Sequence, residues 1–198
     1  MKYLNPIFYD IIFVWIRRGE NMEENLIKRS KEGDKDAFAK LIELYERKLF
    51  VIAKSRLDQD EDIKDAVQET IYQTFRNINT LRNDGSFNGW ITRVLINNCN
   101  NIMRNNMRNF YSYDDLECDN YFETNDEYIE VDSNIDLFNL IDFLSKDEKT
   151  IVILYFSRGY TTAEIGTILN TNEKTIRTRI RRIKIKIKNR YGKDVYKS

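Results

Sequence analysis

Arg177, Arg181, Arg182 and Lys184, turned to one side of a basic segment, are the side chains of this sequence best equipped for recognition chemistry. A guanidinium can grip guanine O6 and N7 with two parallel hydrogen bonds, a contact worth about 1–3 kcal/mol of discrimination. All four lie between Glu173 and Arg190, where nine of eighteen residues are Lys or Arg. A second polar set recurs upstream: Arg93, Asn97, Asn101, Arg104 and Arg108 form one helical stripe opposite Trp90, Val94 and Leu95. Side-chain amides can read base edges and arginines can hold phosphates, so both sets point to a nucleic acid partner.

Other chemistry has little to work with. Histidine is absent, which removes the usual general base and the commonest metal ligand. Cys99 and Cys118 stand apart without a CxxC pair, so neither a zinc site nor a disulfide framework is indicated, and a reducing cytoplasm fits. The carboxylates Asp114, Asp115, Glu117 and Asp119 lack the Gly-containing spacing of a cation loop and read as a solvated linker. No catalytic residues, cofactor or metal are expected, and the protein is read as a binding protein and not an enzyme.

Charge is segregated although the whole chain is neutral. Residues 112–142 carry −11 and residues 143–198 carry +9, and no Lys or Arg occurs between Arg108 and Lys146. A basic module behind an acidic strip suits a polyanion for one part and a different environment for the other.

The elements that must position these residues are helices. Ile176, Ile180, Ile183 and Ile187 mark the buried stripe of the basic segment, leaving Arg177, Arg181, Arg182 and Lys184 on another side. Upstream, Thr161-Thr162-Ala163-Glu164 reads as a capping box, and Asn170-Thr171-Asn172 as a tight turn, which together give helix-turn-helix spacing. Further helices are predicted from Phe38 to Leu57, from about Asp62 to Arg76 (burying Ile63, Ala66, Val67, Ile71 and Phe75), and from Phe87 to about Arg108 after an Asn83-Asp84-Gly85-Ser86 turn. Ser145-Lys146-Asp147-Glu148 caps another helix, which Gly159 stops. The expected fold is all-α, two small helical domains joined by an acidic flexible linker over residues 112–134.

Residues 7–16 are apolar but too few to cross about 30 Å of hydrocarbon as a helix. Arg17-Arg18-Gly19-Glu20-Asn21-Met22 can be encoded by a purine-rich stretch ahead of an ATG, as a ribosome-binding site would be if it were translated. Residues 1–21 are therefore expected to be an N-terminal extension, with the natural start at Met22; upstream codons without a GGAGG-like run would remove the support.

Three stretches in this order resemble the extracytoplasmic-function (ECF) group of sigma-70-type RNA polymerase sigma factors. They are Asp62-Ile-Lys-Asp-Ala-Val-Gln-Glu-Thr-Ile71, Gly85-Ser-Phe-Asn-Gly-Trp-Ile-Thr-Arg-Val-Leu-Ile-Asn97, and Tyr160 to Arg190. The likeness places a region 2-like domain in residues 22–111 and a region 4-like helix-turn-helix domain in residues 135–198. It implies a cytoplasmic sigma factor that confers promoter recognition on core RNA polymerase and initiates transcription of an extracytoplasmic or stress response. Asp62, Asp65, Gln68 and Glu69 would bind core polymerase at the coiled coil of its largest subunit, and region 4 its flap. Ser86, Phe87, Trp90, Arg93, Asn97 and Asn101 would contact the −10 element, with Asn97 at the base-capturing position. Lys174, Arg177, Thr178, Arg181 and Arg182 would contact the −35 element. Restraint by an anti-sigma factor at the membrane is a further expectation from the resemblance. The competing class is a stand-alone helix-turn-helix regulator that binds its operator without polymerase.

Overall fold

Asp34, Asn83, Ser145, Thr161 and Asn172 each mark the start of a helix or helical turn with a side-chain hydrogen bond, and the helices so defined fall into two lobes. The computed structural model describes residues 22–112 and 137–191; the N-terminal extension and the acidic linker expected from the sequence lie outside them. Among the described residues every regular element is helical. The first lobe holds α1 (22–31), α2 (Lys35–Lys54), α3 (Asp60–Asn77) and α4 (Phe87–Ser112).

Helix α1 was not foreseen, because its buried side is only Leu26, Ile27 and Ser30, too short a stripe to register as a period. It ends at Gly33, whose φ of 93° lies in the region that favours glycine. Asp34 then caps α2 by accepting a 3.0 Å hydrogen bond from the Ala37 N–H. That bond and the Arg29 guanidinium hold the Asp34 carboxyl below its usual range.

The interior of this lobe is a continuous apolar stripe: Leu41, Leu49, Ile52, Ile63, Phe87, Ile91 and Leu95 are fully buried. Phe75 departs from expectation. It is 47% exposed and lays its ring against the edge of Phe38, 5.1 Å between centroids. The turn before α4 forms as read, a 3-10 turn at Asp84–Ser86 in which Asn83 accepts from the Gly85 N–H at 3.1 Å.

The second lobe opens with a helical turn at 137–140 and continues with α5 (Lys146–Val152), α6 (Thr162–Ile168) and α7 (Glu173–Tyr191). Both capping boxes are present, Ser145 with Glu148 and Thr161 with Glu164. Helix α5 widens into a π turn at Ile153–Ser157, and Gly159, at φ 71°, stops it. This exit aims Tyr160, which is 3% exposed, at the first lobe.

Between α6 and α7, Asn170 takes a φ of 48°, one of the few residue types that tolerate it. The turn comes so close to α6 that a Cβ on Gly166 would lie 2.7 Å from the Thr171 carbonyl oxygen. The two short helices are therefore locked at one angle by a backbone contact that only glycine permits.

The lobes are not merely tethered. Buried apolar residues from Leu26 to Ile183 form one continuous cluster, α4 packs on α6, and α2 touches the π turn. Sequence periodicity drew two separate bodies, because the residues that join them are mostly polar and read as solvated faces.

Gly166→Ala should lower stability by about 1–3 kcal/mol through overpacking against Thr171, seen as a thermal midpoint several degrees lower by circular dichroism. An unchanged midpoint would mean that the turn moves aside freely.

Candidate nucleic-acid interface

Helix α7 is built so that its two sides do different work. Ile176 and Ile183 are fully buried and Ile180 is 6% exposed, while Lys174, Arg177, Thr178, Arg181 and Arg182 are all exposed on its outer side. The helix is started by Asn172, whose side-chain oxygen accepts the Lys174 N–H at 2.8 Å. The outward cations differ from one another. Arg177 donates to Glu173 at 2.7 Å, and Glu173 also accepts from the Thr162 hydroxyl at 2.7 Å. The Thr162 hydroxyl and then Arg177 hold the Glu173 carboxyl below its usual range. This three-residue chain ties α6 to α7. Among the described residues neither Arg181 nor Arg182 has an ion-pair partner, so both guanidinium groups stand open. Behind them, Arg181, Lys184 and Lys188 border an apolar depression floored by Tyr155, Ile180 and Ile185.

The polar stripe of α4 is likewise outward. Arg93, Asn97 and Asn101 are exposed, and Arg104 donates to the Asn101 side chain. Asn97, Asn100, Asn101, Met103, Arg104 and Met107 surround an open depression on the helix. At the N-terminal end, Ser86 is exposed and its hydroxyl donates to Asn83 at 2.6 Å, while Trp90 is half-buried. Phe87 is a correction to the surface reading: it has no exposed area and stacks edge-on against Tyr45 at 5.1 Å. It anchors the start of α4 from beneath and offers no face to a ligand.

On α3, Asp65, Gln68 and Glu69 are exposed and share a groove with Tyr72, Gln73, Asn98 and Asn101 of both helices. Asp62 is half-buried and accepts from Asn106 at 2.8 Å, bracing the far end of α4. Two asparagines without an expected role turn out to be structural. Asn98, 4% exposed, donates to Thr70 at 3.0 Å and accepts from Gln73 at 3.3 Å, joining α3 to α4. Asn100 accepts from Arg56 at 2.8 Å. A buried Asn has no periodic signature, and only its partners in space reveal it.

Sequence reasoning also missed the join between the lobes. Arg56 is 8% exposed and reaches Asn100, Asp147 at 3.3 Å and Thr150 at 3.4 Å. The Tyr160 hydroxyl meets Thr92 at 2.6 Å and Asn88 at 2.8 Å, and Lys48 lies 4.8 Å from the Tyr160 ring centre while donating to Asn88. Burial pushes the Lys48 ammonium down to about 8, with Arg158 adding like-charge repulsion against the pull of Glu23 and Glu164.

Among the described residues no cluster of ligating side chains could hold a metal, and no helix is long and apolar enough to cross a membrane.

Residues 41–109 match the model of sigma-70 region 2, and residues 136–187 match that of sigma-70 region 4. The chain belongs to the ECF group of the sigma-70 family. The ECF RNA polymerase sigma-E factor of Haemophilus influenzae is 27% identical over 179 residues, covering 85% of this chain and 94% of the relative. The ECF sigma factor SigW of Bacillus subtilis is 25% identical over 175 residues, covering 82% and 93%. A solved sigma factor RpoE from Bartonella quintana, in complex with the anti-sigma factor NepR, superposes with a TM-score of 0.62 at 18% identity, over 77% of this chain and 94% of that one. At that identity the superposition speaks for the fold. The two lobes are the region 2 and region 4 modules of a sigma factor.

A lysine whose pKa is depressed in the fold binds its proton less readily there than in the unfolded chain. The resulting penalty is complete below about pH 8 and is relieved as pH rises from there toward the ordinary value. Between pH 7 and 9 the thermal midpoint of the wild type should therefore gain on that of Lys48→Met, other titrating groups cancelling in the difference. A constant difference would place Lys48 in open solvent.

Proposed function

We propose that this protein is the promoter-specificity subunit of RNA polymerase, with α3 docking on core enzyme, the outer side of α4 engaging the −10 element and α7 reading the −35 element. The observation that carries the reading is the helix-turn-helix of α6 and α7: a Gly166-locked pair whose second helix buries isoleucines and turns two open arginines outward. That is the geometry by which a helix enters a major groove.

Roles within the sites follow from the contacts. Arg181 and Arg182 are the base-reading candidates, because their guanidinium groups are uncommitted. Arg177 is a positioning residue, holding Glu173 and through it Thr162. Lys174 and Thr178 flank them at the helix start and suit phosphate contacts. On α4, Asn97 and Asn101 present amides to an unstacked base, a strand whose extraction costs a few kcal/mol; Ser86, Trp90 and Arg93 border the approach. On α3, Asp65, Gln68 and Glu69 face outward for a basic partner helix, with Asp62 at their edge.

The protein supplies no bond-making chemistry of its own in this reading, acts in the cytoplasm, and is controlled by an anti-sigma partner, as the Bartonella relative's complex suggests for the fold. A stand-alone regulator is disfavoured, because residues 41–109 of the N-terminal lobe match sigma-70 region 2.

In transcription with purified core polymerase, the full chain should create start-site selectivity that core alone lacks; failure to bind core would sink the reading. Arg181→Ala or Arg182→Ala should cost about 1–3 kcal/mol of discrimination at one −35 position. Lys188→Ala should weaken binding about equally across sequences and lower the salt slope by roughly one. Arg177→Ala should lower thermal stability more than sequence preference. Glu69→Lys should weaken core binding without loss of helix content.

A further inference from the structure

Lys48 belongs to neither proposed promoter surface, and its setting differs from that of a surface lysine. It is half-buried and donates to a neutral amide, Asn88; no carboxylate pairs with it among the described residues. The ring centres of Tyr45 and Tyr160 lie 5.3 and 4.8 Å from its ammonium nitrogen. Arg158 is close enough to repel it, and the Nε of that guanidinium is itself buried without a partner. A lysine that merely solvates a helix buries its stem and carries its charge outward into water. This one turns its nitrogen onto rings and an amide.

The nitrogen is nevertheless reachable. An open cavity of about 370 Å³ lies beside it, lined by Met22, Glu23, Leu44, Tyr45, Lys48 and Asn88. Small-molecule sites run from roughly 300 to 1,000 Å³, so the space is sufficient for a metabolite. Leu44 stands one turn before Lys48 on the same side of α2, and with Met22 it gives the cavity apolar walls.

We propose that Lys48 is a site of covalent acylation, its ε-amine accepting the acyl group of an activated carboxylic acid, an acyl phosphate or a thioester, that enters this cavity. The nitrogen lone pair attacks the carbonyl carbon and an N–C bond forms. The C–O bond to phosphate, or the C–S bond to the thiol, breaks, and phosphate or thiolate leaves with the bonding pair. The extra proton on nitrogen passes to water, and nothing is oxidised or reduced. Met22 and Leu44 receive the acyl chain. The amide keeps one N–H for Asn88, while the positive charge that faced Arg158 is gone.

Only the neutral amine attacks. Burial first, and then Arg158, favour that form against the pull of Glu23 and Glu164. With a pKa of about 8, about a quarter of the Lys48 amines are neutral at pH 7.5, against about a thousandth for a lysine at its ordinary value. Nucleophilicity falls with pKa, as it does for thiolates, which removes part of this advantage and leaves the rest.

The test treats the full chain at pH 7.5 with acetyl phosphate in one arm and acetyl-CoA in the other, and follows each lysine by peptide mass spectrometry. Lys48 should be acetylated at least about tenfold faster than Lys40, an exposed lysine of the same helix, in at least one arm. The faster arm identifies the donor. The Lys48 rate should bend over near pH 8 and level off above it, where the amine is already neutral. Leu44→Trp, a change at an exposed wall position, should fill the cavity and slow Lys48 severalfold while leaving Lys40 unchanged. Neither polymerase nor DNA is needed for any of these readouts. The site would be overturned by Lys48 reacting no faster than Lys40 with either donor, by a Lys48 rate still climbing through pH 10, or by a rate indifferent to Leu44→Trp.

Discussion

Helix α4 has to satisfy three environments at once, and most of the molecule follows from how it does so. One side carries Phe87, Ile91, Leu95 and Ile96 into the first lobe's core. A second presents Arg93, Asn97 and Asn101 to solvent. A third gives Asn88 and Thr92 to Tyr160 and Asn100 to Arg56. At 26 residues the helix is long enough to host all three only because its N-terminal end is pinned by Phe87 against Tyr45 and its C-terminal half is braced by Asn106 on Asp62. The outward polar stripe is thereby given rigid backing, with the helix beneath it held at both ends.

Much of this was legible in the order of residues. Both capping boxes, the isoleucine stripe of α7, the Asn83 turn and the Gly159 stop are local rules, satisfied by neighbours within four positions, and periodicity reads them directly. What escaped were groups whose partners are distant in sequence. Arg56 looks like one more surface arginine until its partners Asn100, Asp147 and Thr150 are placed beside it. Asn98 carries no periodic signal, yet it is the buried amide that spaces α3 from α4. Phe87 was named as a −10 contact by family likeness, but an aromatic at the first position of a helix is as well suited to anchoring it, and its full burial gives it that anchoring place.

The recognition helix shows how a strongly basic segment avoids disorder of its own charges. Lys186 is answered by Glu148 at 2.7 Å, a carboxylate whose partial burial would raise its pKa but whose bonds to Lys186 and Ser145 win and lower it. Arg177 is answered by Glu173. The first pair joins α7 to α5; the second lies within α7, and it is the Thr162 hydroxyl on Glu173 that carries it across to α6. Arg181 and Arg182 are left over, in the middle of the exposed side, where fewer acidic neighbours reach. Paired charge and open charge are thereby separated along one helix, by position and not by residue type.

The polar join between lobes belongs to the same logic. Had Thr150, Tyr160 and Arg56 been leucines, the lobes would fuse into one core and the hydrophobic cost of re-exposing them would hold the molecule shut. Hydrogen bonds made at Tyr160 and Arg56 exchange for bonds to water with little net change, so they fix the geometry of the join more than its strength. The apolar cluster runs continuously through the join, which sets a lower limit on its strength, while Arg158 facing Lys48 and Arg47 sets an upper one.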